Sequence, residues 1–117
     1  MASLNNLLTQ ASAVYTASGG SGSITVPLAV EMLAVDANVT AASGTSPTLT
    51  FYLERQGSDG VWYQVWASSA ITAAGTASTS VGPGCTVGAV LTGMVRLRWV
   101  IAGTTPSFTF SASMVGR

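Results

Sequence analysis

Alternation of apolar and polar side chains in five separate segments constrains the fold of this chain more than any other feature. In the first segment, 33–39, Leu33, Val35, Ala37 and Val39 occupy every second position. A period of two is typical of a β-strand that buries one face. Helical spacing is confined to Leu4, Leu7 and Leu8, in a stretch too short for a stable isolated helix. The same alternation recurs in segments 49–54, 61–66, 95–101 and 108–114.

Turn sequences separate these segments. Gly57-Ser58-Asp59-Gly60 and Val81-Gly82-Pro83-Gly84 are rich in residues that favour tight turns. The alternation of apolar and polar residues is weaker in segment 67–92, which could contain short strands near 71–73 and 77–81. A chain of 117 residues suffices for one domain with one core. We therefore predict an all-β fold, a single antiparallel β-sandwich or a barrel, with a short N-terminal arm.

One eight-residue pattern occurs twice. Residues 44–51 read Gly-Thr-Ser-Pro-Thr-Leu-Thr-Phe, and residues 103–110 read Gly-Thr-Thr-Pro-Ser-Phe-Thr-Phe. In each copy a strand precedes, Gly-Thr turns the chain, and proline opens the next strand, where a missing N–H is tolerated. We interpret the two copies as similar hairpins that face each other across the sandwich.

The N-terminal segment differs from the rest. Residues 18–23 read Ser-Gly-Gly-Ser-Gly-Ser, a composition typical of a flexible linker. We therefore divide the chain into an arm with its Gly/Ser hinge, 1–23, and a β-sandwich domain, 24–117. The arm has no charged side chain, and we predict that it docks on a neighbouring subunit by adding a strand near 13–17 to an open sheet edge. The alternative is that it folds back as the first strand of its own sandwich. In either case, the apolar side chains that the arm can bury are Leu4, Leu7, Leu8, Val14 and Tyr15.

The charge content excludes several functional classes. Charged residues make up 7% of the chain, lysine and histidine are absent, and four arginines balance four acids. A nucleic-acid interface needs a basic surface, which this composition does not supply. No run approaches the roughly 20 apolar residues of a membrane-spanning helix. A neutral surface with 15 Ser and 15 Thr favours association between copies, so we expect a subunit that works packed against other subunits.

Catalytic and metal-binding residues are not evident. Without histidine, zinc has few ligands, and Cys85 has no base to activate it as a nucleophile. Glu54 occupies an outward strand position beside Arg55, and Asp59 lies in a turn, so we expect ion pairing and turn formation rather than acid–base catalysis. We predict no enzyme activity, no cofactor and no metal.

Aromatic and arginine side chains are the candidates for binding. The spacing of Trp62 and Trp66 places them on one strand face, with Tyr52 nearby, where they could stack on sugar rings, anchor a partner protein or pack on the core. Arg96 and Arg98 share the face opposite Leu97, where arginine suits either a protein interface or a solvated surface.

The sequence from 39 to 116 resembles small all-β virion proteins of tailed bacteriophages, which decorate capsids or belong to the neck and tail. The resemblance rests on Thr48–Glu54, Gly57–Trp62, Ile71–Thr76, Val95–Trp99 and Gly103–Phe110, all of them strand-and-turn sequences.

This resemblance implies a virion structural protein that binds the major capsid protein or other virion subunits and associates with itself. We expect a capsid decoration or cement protein on the virion surface, made in the host cytoplasm, with no nucleic-acid or membrane partner. The alternatives are a neck, tail or fibre component and a carbohydrate-binding β-sandwich module.

Overall fold

The computed structural model describes residues 5–89 and 93–117 and is all-β, as predicted. Alternating side chains produce strands because one face can then be buried while the other meets solvent. Within the described residues there are seven strands and no helix. They are β1 (Asn5–Tyr15), β2 (Gly19–Gly20), β3 (Ile24–Thr25), β4 (Leu33–Gln56), β5 (Trp62–Ala67), β6 (Gly75–Val81) and β7 (Met94–Gly116).

Two long strands, β4 and β7, organise the sandwich. They run antiparallel, so residues 33–43 of β4 pair with 107–116 of β7, and residues 48–55 of β4 pair with 95–102 of β7. Strands β1 and β6 flank the first of these pairs, and together they form layer one. Strands β2, β3 and β5 flank the second pair and form layer two. All pairings between these seven strands are antiparallel, and the two layers are joined through the bends of β4 and β7.

The repeated Gly-Thr-Xaa-Pro sequence forms these bends, and not the hairpins that the sequence suggested. Each copy lies inside one continuous strand, and Thr45 pairs with Thr104 where the strands cross. The φ angles of Gly44 and Gly103 are 112° and 120°, a region open chiefly to glycine. A Cβ atom on Gly44 would lie 2.6 Å from the carbonyl oxygen of Thr105, so the two backbones approach too closely for any side chain.

The core lies between the layers and unites them. Phe51 of layer two and Phe110 of layer one meet edge to face, with ring centroids 5.1 Å apart. Trp99 lies 5.3 Å from the same Phe110 ring. Burial of apolar side chains in such a core is the main source of stability in a domain of this size. The largest fully buried side chains are Leu33, Val35, Val39, Leu49, Phe51, Leu53, Val81, Val95, Leu97, Phe108, Phe110 and Met114.

The N-terminal arm lies on its own sandwich, which corrects the prediction that it docks on a neighbour. Strand β1 pairs with β7 along its length, from Asn5 opposite Gly116 to Tyr15 opposite Phe108. The Tyr15 ring stacks on Phe110 with centroids 4.1 Å apart, and this burial favours the home sheet over a partner's edge. Leu7 and Leu8 pack against the core, Val14 is 64% exposed, and Leu4 lies outside the described residues.

The Gly/Ser segment predicted to be a flexible hinge is hydrogen-bonded along the edge of layer two. Ser21 N–H donates to the Leu97 carbonyl at 2.8 Å, and the Ser21 hydroxyl oxygen accepts from Leu97 N–H at 3.1 Å. The Ser18 hydroxyl oxygen accepts from Ile101 N–H at 2.9 Å. A Cβ on Gly19 would lie 3.2 Å from the Trp99 Nε1 atom, so glycine lets this edge close over the indole. Composition indicated flexibility, but long-range bonds to β7 order the segment.

Candidate interaction site

The outer face of layer two brings together five side chains from three strands. Leu53 and Leu97 point into the core, so the residues beside them in β4 and β7 point outward. Glu54 pairs with Arg96 in register, and Tyr52 pairs with Arg98. Trp62 joins them from β5, where it pairs with Gln56. We call this set the arginine–aromatic ladder, which consists of Tyr52, Glu54, Trp62, Arg96 and Arg98.

One carboxylate holds both arginines of the ladder. The Nε atom of Arg96 lies 2.7 Å from Glu54 Oε1, and the Nε atom of Arg98 lies 3.4 Å from the same oxygen. Glu54 is only 8% exposed. A carboxylate so far removed from water needs opposite charge beside it, and two guanidinium groups supply that charge. The ladder therefore carries two positive charges and one negative charge.

Aromatic rings complete the positioning of the arginines. The Arg96 guanidinium carbon lies 4.3 Å from the centre of the Trp62 ring, and that of Arg98 lies 4.6 Å from the centre of the Tyr52 ring. Such cation–π contacts favour a fixed orientation. Each arginine has five N–H donors. Arg96 uses its Nε donor for the hydrogen bond to Glu54. The side chains remain about one-third exposed, at 32% for Arg96 and 38% for Arg98, so both can also meet a partner.

A shallow groove runs beside the two arginines. Gly20 lies opposite Arg98 in register and has no side chain to cover that part of the outer face. The groove has a volume of about 270 Å³ and is lined by Gly19, Gly20, Gly22, Arg96 and Arg98. The sequence did not indicate that these glycines belong to a site, because a Gly/Ser-rich composition is typical of a linker. Gly19 and Gly20 are far from β7 in the sequence, so no local pattern predicts that they pair with it.

The two tryptophans predicted to share a face lie on opposite sides of β5. The register between β4 and β5 shifts at Val65, so Trp62 pairs with Gln56 while Trp66 pairs with Leu53. Because Leu53 points inward, Trp66 packs against the core, whereas Trp62 lies under Arg96 on the outer face. A β-bulge of this kind reverses the direction of side chains beyond it. The two rings therefore do not form a joint stacking platform for sugar.

The turn between β4 and β5 contains a second polar cluster. Asp59 Oδ1 accepts from Val61 N–H at 3.0 Å, and Asp59 Oδ2 accepts from the Tyr63 hydroxyl at 2.6 Å. The Tyr63 hydrogen bond, followed by that of Val61, lowers the pKa of Asp59 below its ordinary value of 3.8. The same bond to a carboxylate raises the pKa of Tyr63 above 10.0. Asp59 thus shapes the turn, as its position in the sequence predicts.

This cluster predicts a pH dependence in the acid range. Because the fold lowers the pKa of Asp59, the ionised group stabilises the fold fully above pH 3.8, and this contribution is lost as the pH falls through the lowered pKa. NMR titration of the Asp59 carboxyl carbon should give a pKa below 3.8. In Tyr63→Phe, which lacks the hydroxyl donor, the pKa should rise towards that value. An unchanged pKa in this variant would contradict the assigned cause.

In the part of the chain that the structure describes, the other reactive groups do not assemble into a site. Cys85 is a free, half-buried thiol. Among the described residues, no three His, Cys, Asp or Glu side chains come close enough to hold a metal ion. The same part of the chain contains no helix that is long and apolar enough to cross a membrane. The arrangement on layer two offers donors for hydrogen bonds and a charge, and therefore suits binding.

Comparisons with known proteins identify the fold. No protein-family model and no curated protein matches the sequence. Among solved structures, a chain of infectious bursal disease virus Gx strain matches with a TM-score of 0.58 and 16% identity, over 97% of this chain and 31% of that chain. The crystal structure of PBSX exported protein XepA matches with a TM-score of 0.57 and 17% identity, over 97% of this chain and 36% of that chain.

A third structure, from infectious bursal disease virus Gt strain, matches with a TM-score of 0.52 and 15% identity, over 97% of this chain and 32% of that chain. These proteins share the β-sandwich fold with almost all of this chain. The chain spans only about a third of the length of each of them.

Proposed function

We propose that this chain is a structural subunit of a virion and acts by binding other virion subunits, without catalysis. The observation that carries the proposal is the fold, which matches a chain of a virus structure over 97% of this chain. The sequence resemblance to small virion proteins of tailed bacteriophages supports the same class. The low charge content, 7%, fits a surface that is covered by neighbours in an assembly.

Within this class we propose a decoration or cement protein on the head. Such a protein stabilises a shell by bridging neighbouring capsid subunits, because binding to the assembled state shifts the equilibrium away from disassembly. The outer face of layer two, with the arginine–aromatic ladder, is the contact surface we propose for the capsid. Aromatic and arginine side chains are the residues most enriched at the centres of protein interfaces.

Purified particles provide the test. Electron cryomicroscopy should locate the chain in many symmetric copies on the head, and particles assembled without it should release their genome at a lower temperature. A single ring of copies at the neck or tail would favour the alternative location within the virion. Absence of the chain from purified particles would refute the structural role, and equal heat resistance with and without it would refute the cement role.

Arg96→Gln serves as the interface variant and Arg55→Gln as its matched control. Both remove one positive charge from layer two, but Arg55 lies on Tyr63, 5.5 Å from the ring centre, outside the ladder. We expect Arg96→Gln to lower occupancy on the particle and Arg55→Gln to leave it unchanged. Equal occupancy for both variants would contradict the choice of this face.

A further inference from the structure

The groove beside the ladder has the charge and shape of a site for one anion. Arg96 donates its Nε–H to Glu54, and Arg98 Nε lies within ion-pair distance of the same oxygen. The terminal amino groups of both arginines are therefore left to bond another acceptor. Glu54 offsets one of the two positive charges, so the site has a net charge of one positive unit. That value matches a single carboxylate better than a phosphate dianion. Since stacking and the ion pair already hold both guanidinium groups, little side-chain freedom is lost on binding.

The other wall of the groove is backbone. Gly19 and Gly20 pair with Trp99 and Arg98 on one side, and no described strand covers their other side. An edge of this kind offers N–H and C=O groups to an extended chain. Gly22 has a φ of 79° and has no neighbouring atom within 4 Å of its Cβ position, so the groove is open at that end.

We propose that this groove binds an extended acidic segment of a partner protein, with one Asp or Glu carboxylate held by Arg96 and Arg98. That the partner is a virion subunit rests on the proposed function. Nucleic acid does not fit, because one net positive charge cannot match the several phosphates that such partners present. A protein carboxylate meets the forked donors of arginine in a planar, two-bond geometry.

The test is an NMR titration of the full chain with a synthetic peptide, acetyl-Thr-Glu-Thr-Glu-Thr-amide, and with the same peptide carrying Gln in place of Glu. We expect saturable shifts of the Arg96 and Arg98 Nε–H signals and of the Gly20 and Gly22 amides. The Glu peptide should bind about tenfold more tightly than the Gln peptide, since charge-assisted bonds are the stronger ones. Equal binding of the two peptides, or shifts located elsewhere, would overturn the proposal.

Variants separate the local site from general electrostatics. Arg98→Gln should weaken binding of the Glu peptide about fivefold or more, and Arg98→Lys, which keeps a charge beside Glu54, should also weaken it because the fork is lost. Arg55→Gln removes the same charge on the opposite face of β4 and should leave binding unchanged. A loss as large in Arg55→Gln as in Arg98→Gln would overturn the proposal.

Competition distinguishes the source of the carboxylate. Glucuronate and inorganic phosphate, added at the same concentration, should displace the Glu peptide poorly because they lack the extended backbone that pairs with the β2 edge. If glucuronate displaced the bound Glu peptide as effectively as additional Glu peptide does, the groove would be assigned to an acidic sugar and the peptide proposal would be overturned. Failure of peptide binding in a chain that is found on particles refutes only this inference, whereas binding in a chain absent from particles refutes only the virion role.

Discussion

Gly44→Ala and Gly103→Ala are each expected to lower the free energy of unfolding by about 3 kcal/mol or more. Both glycines have φ angles, 112° and 120°, that an L-residue rarely adopts. An added Cβ would also lie 2.6 Å from the Thr105 carbonyl oxygen in the first variant and 2.8 Å from the Ser46 carbonyl oxygen in the second. Those neighbours are backbone of the paired strand, so the clash can be relieved only by moving β4 and β7 apart. Urea unfolding followed by tryptophan fluorescence measures the change.

Gly75→Ala is the matched control for these two variants. Gly75 begins the edge strand β6, and no atom lies within 4 Å of its Cβ position. The same substitution there should change the free energy of unfolding by less than about 1 kcal/mol, on the stabilising side, because alanine restricts the unfolded chain. Equal losses in Gly44→Ala and Gly75→Ala would show that the close approach at the crossing does not limit stability.

Phe110→Ala is expected to lower the free energy of unfolding by about 3–5 kcal/mol, the range for a buried phenylalanine. Phe110 is completely buried and contacts three rings, with centroids of Tyr15, Phe51 and Trp99 at 4.1, 5.1 and 5.3 Å. It connects the two layers through Phe51 and holds β1 through Tyr15. Amide hydrogen exchange should therefore also become faster in β1. Denaturant unfolding and exchange on the same sample measure both effects.

Val14→Ala is the control for Phe110→Ala. Val14 precedes Tyr15 in β1 but is 64% exposed, so its truncation should cost less than about 0.5 kcal/mol and leave exchange in β1 unchanged. If Phe110→Ala cost no more than Val14→Ala, the aromatic cluster would not be the element that joins the layers. Faster exchange in β1 in Phe110→Ala but not in Val14→Ala would assign the effect to loss of the Tyr15 stack. Faster exchange in both variants would indicate a general loss of strand order.

Strand identity and side-chain direction could be predicted from the sequence for the two long strands. The alternation in 33–39 and 95–101 identifies Leu33, Val35, Val95 and Leu97 as inward residues, and all four are buried. This succeeds because the direction of a side chain in a strand depends on local geometry with a period of two. The outward direction of Arg96 and Arg98 follows from the same rule, so part of the candidate site could also be predicted.

The strand order around the repeated Gly-Thr-Xaa-Pro sequence could not be predicted. Glycine and proline there permit a hairpin and a bend equally well, because both need the same local backbone freedom. The pairing of Thr45 with Thr104, 59 positions away along the chain, decides for a bend. The arm is a similar case, since an open sheet edge on its own domain or on a neighbour offers the same hydrogen bonds. Stacking of Tyr15 on Phe110 places β1 on its own domain.

The sequence by itself therefore determined the all-β class, the inward faces of the long strands and a nearly neutral surface, since each depends on residue type and local spacing. Only the tertiary structure decided the position of Trp66, the order of the Gly/Ser segment and the assembly of the ladder. A single bulge at Val65 turns Trp66 to the core, and the register between β4 and β7 brings Glu54 between Arg96 and Arg98. Register is a property of pairs of strands, and it is selected by the packing of the whole core.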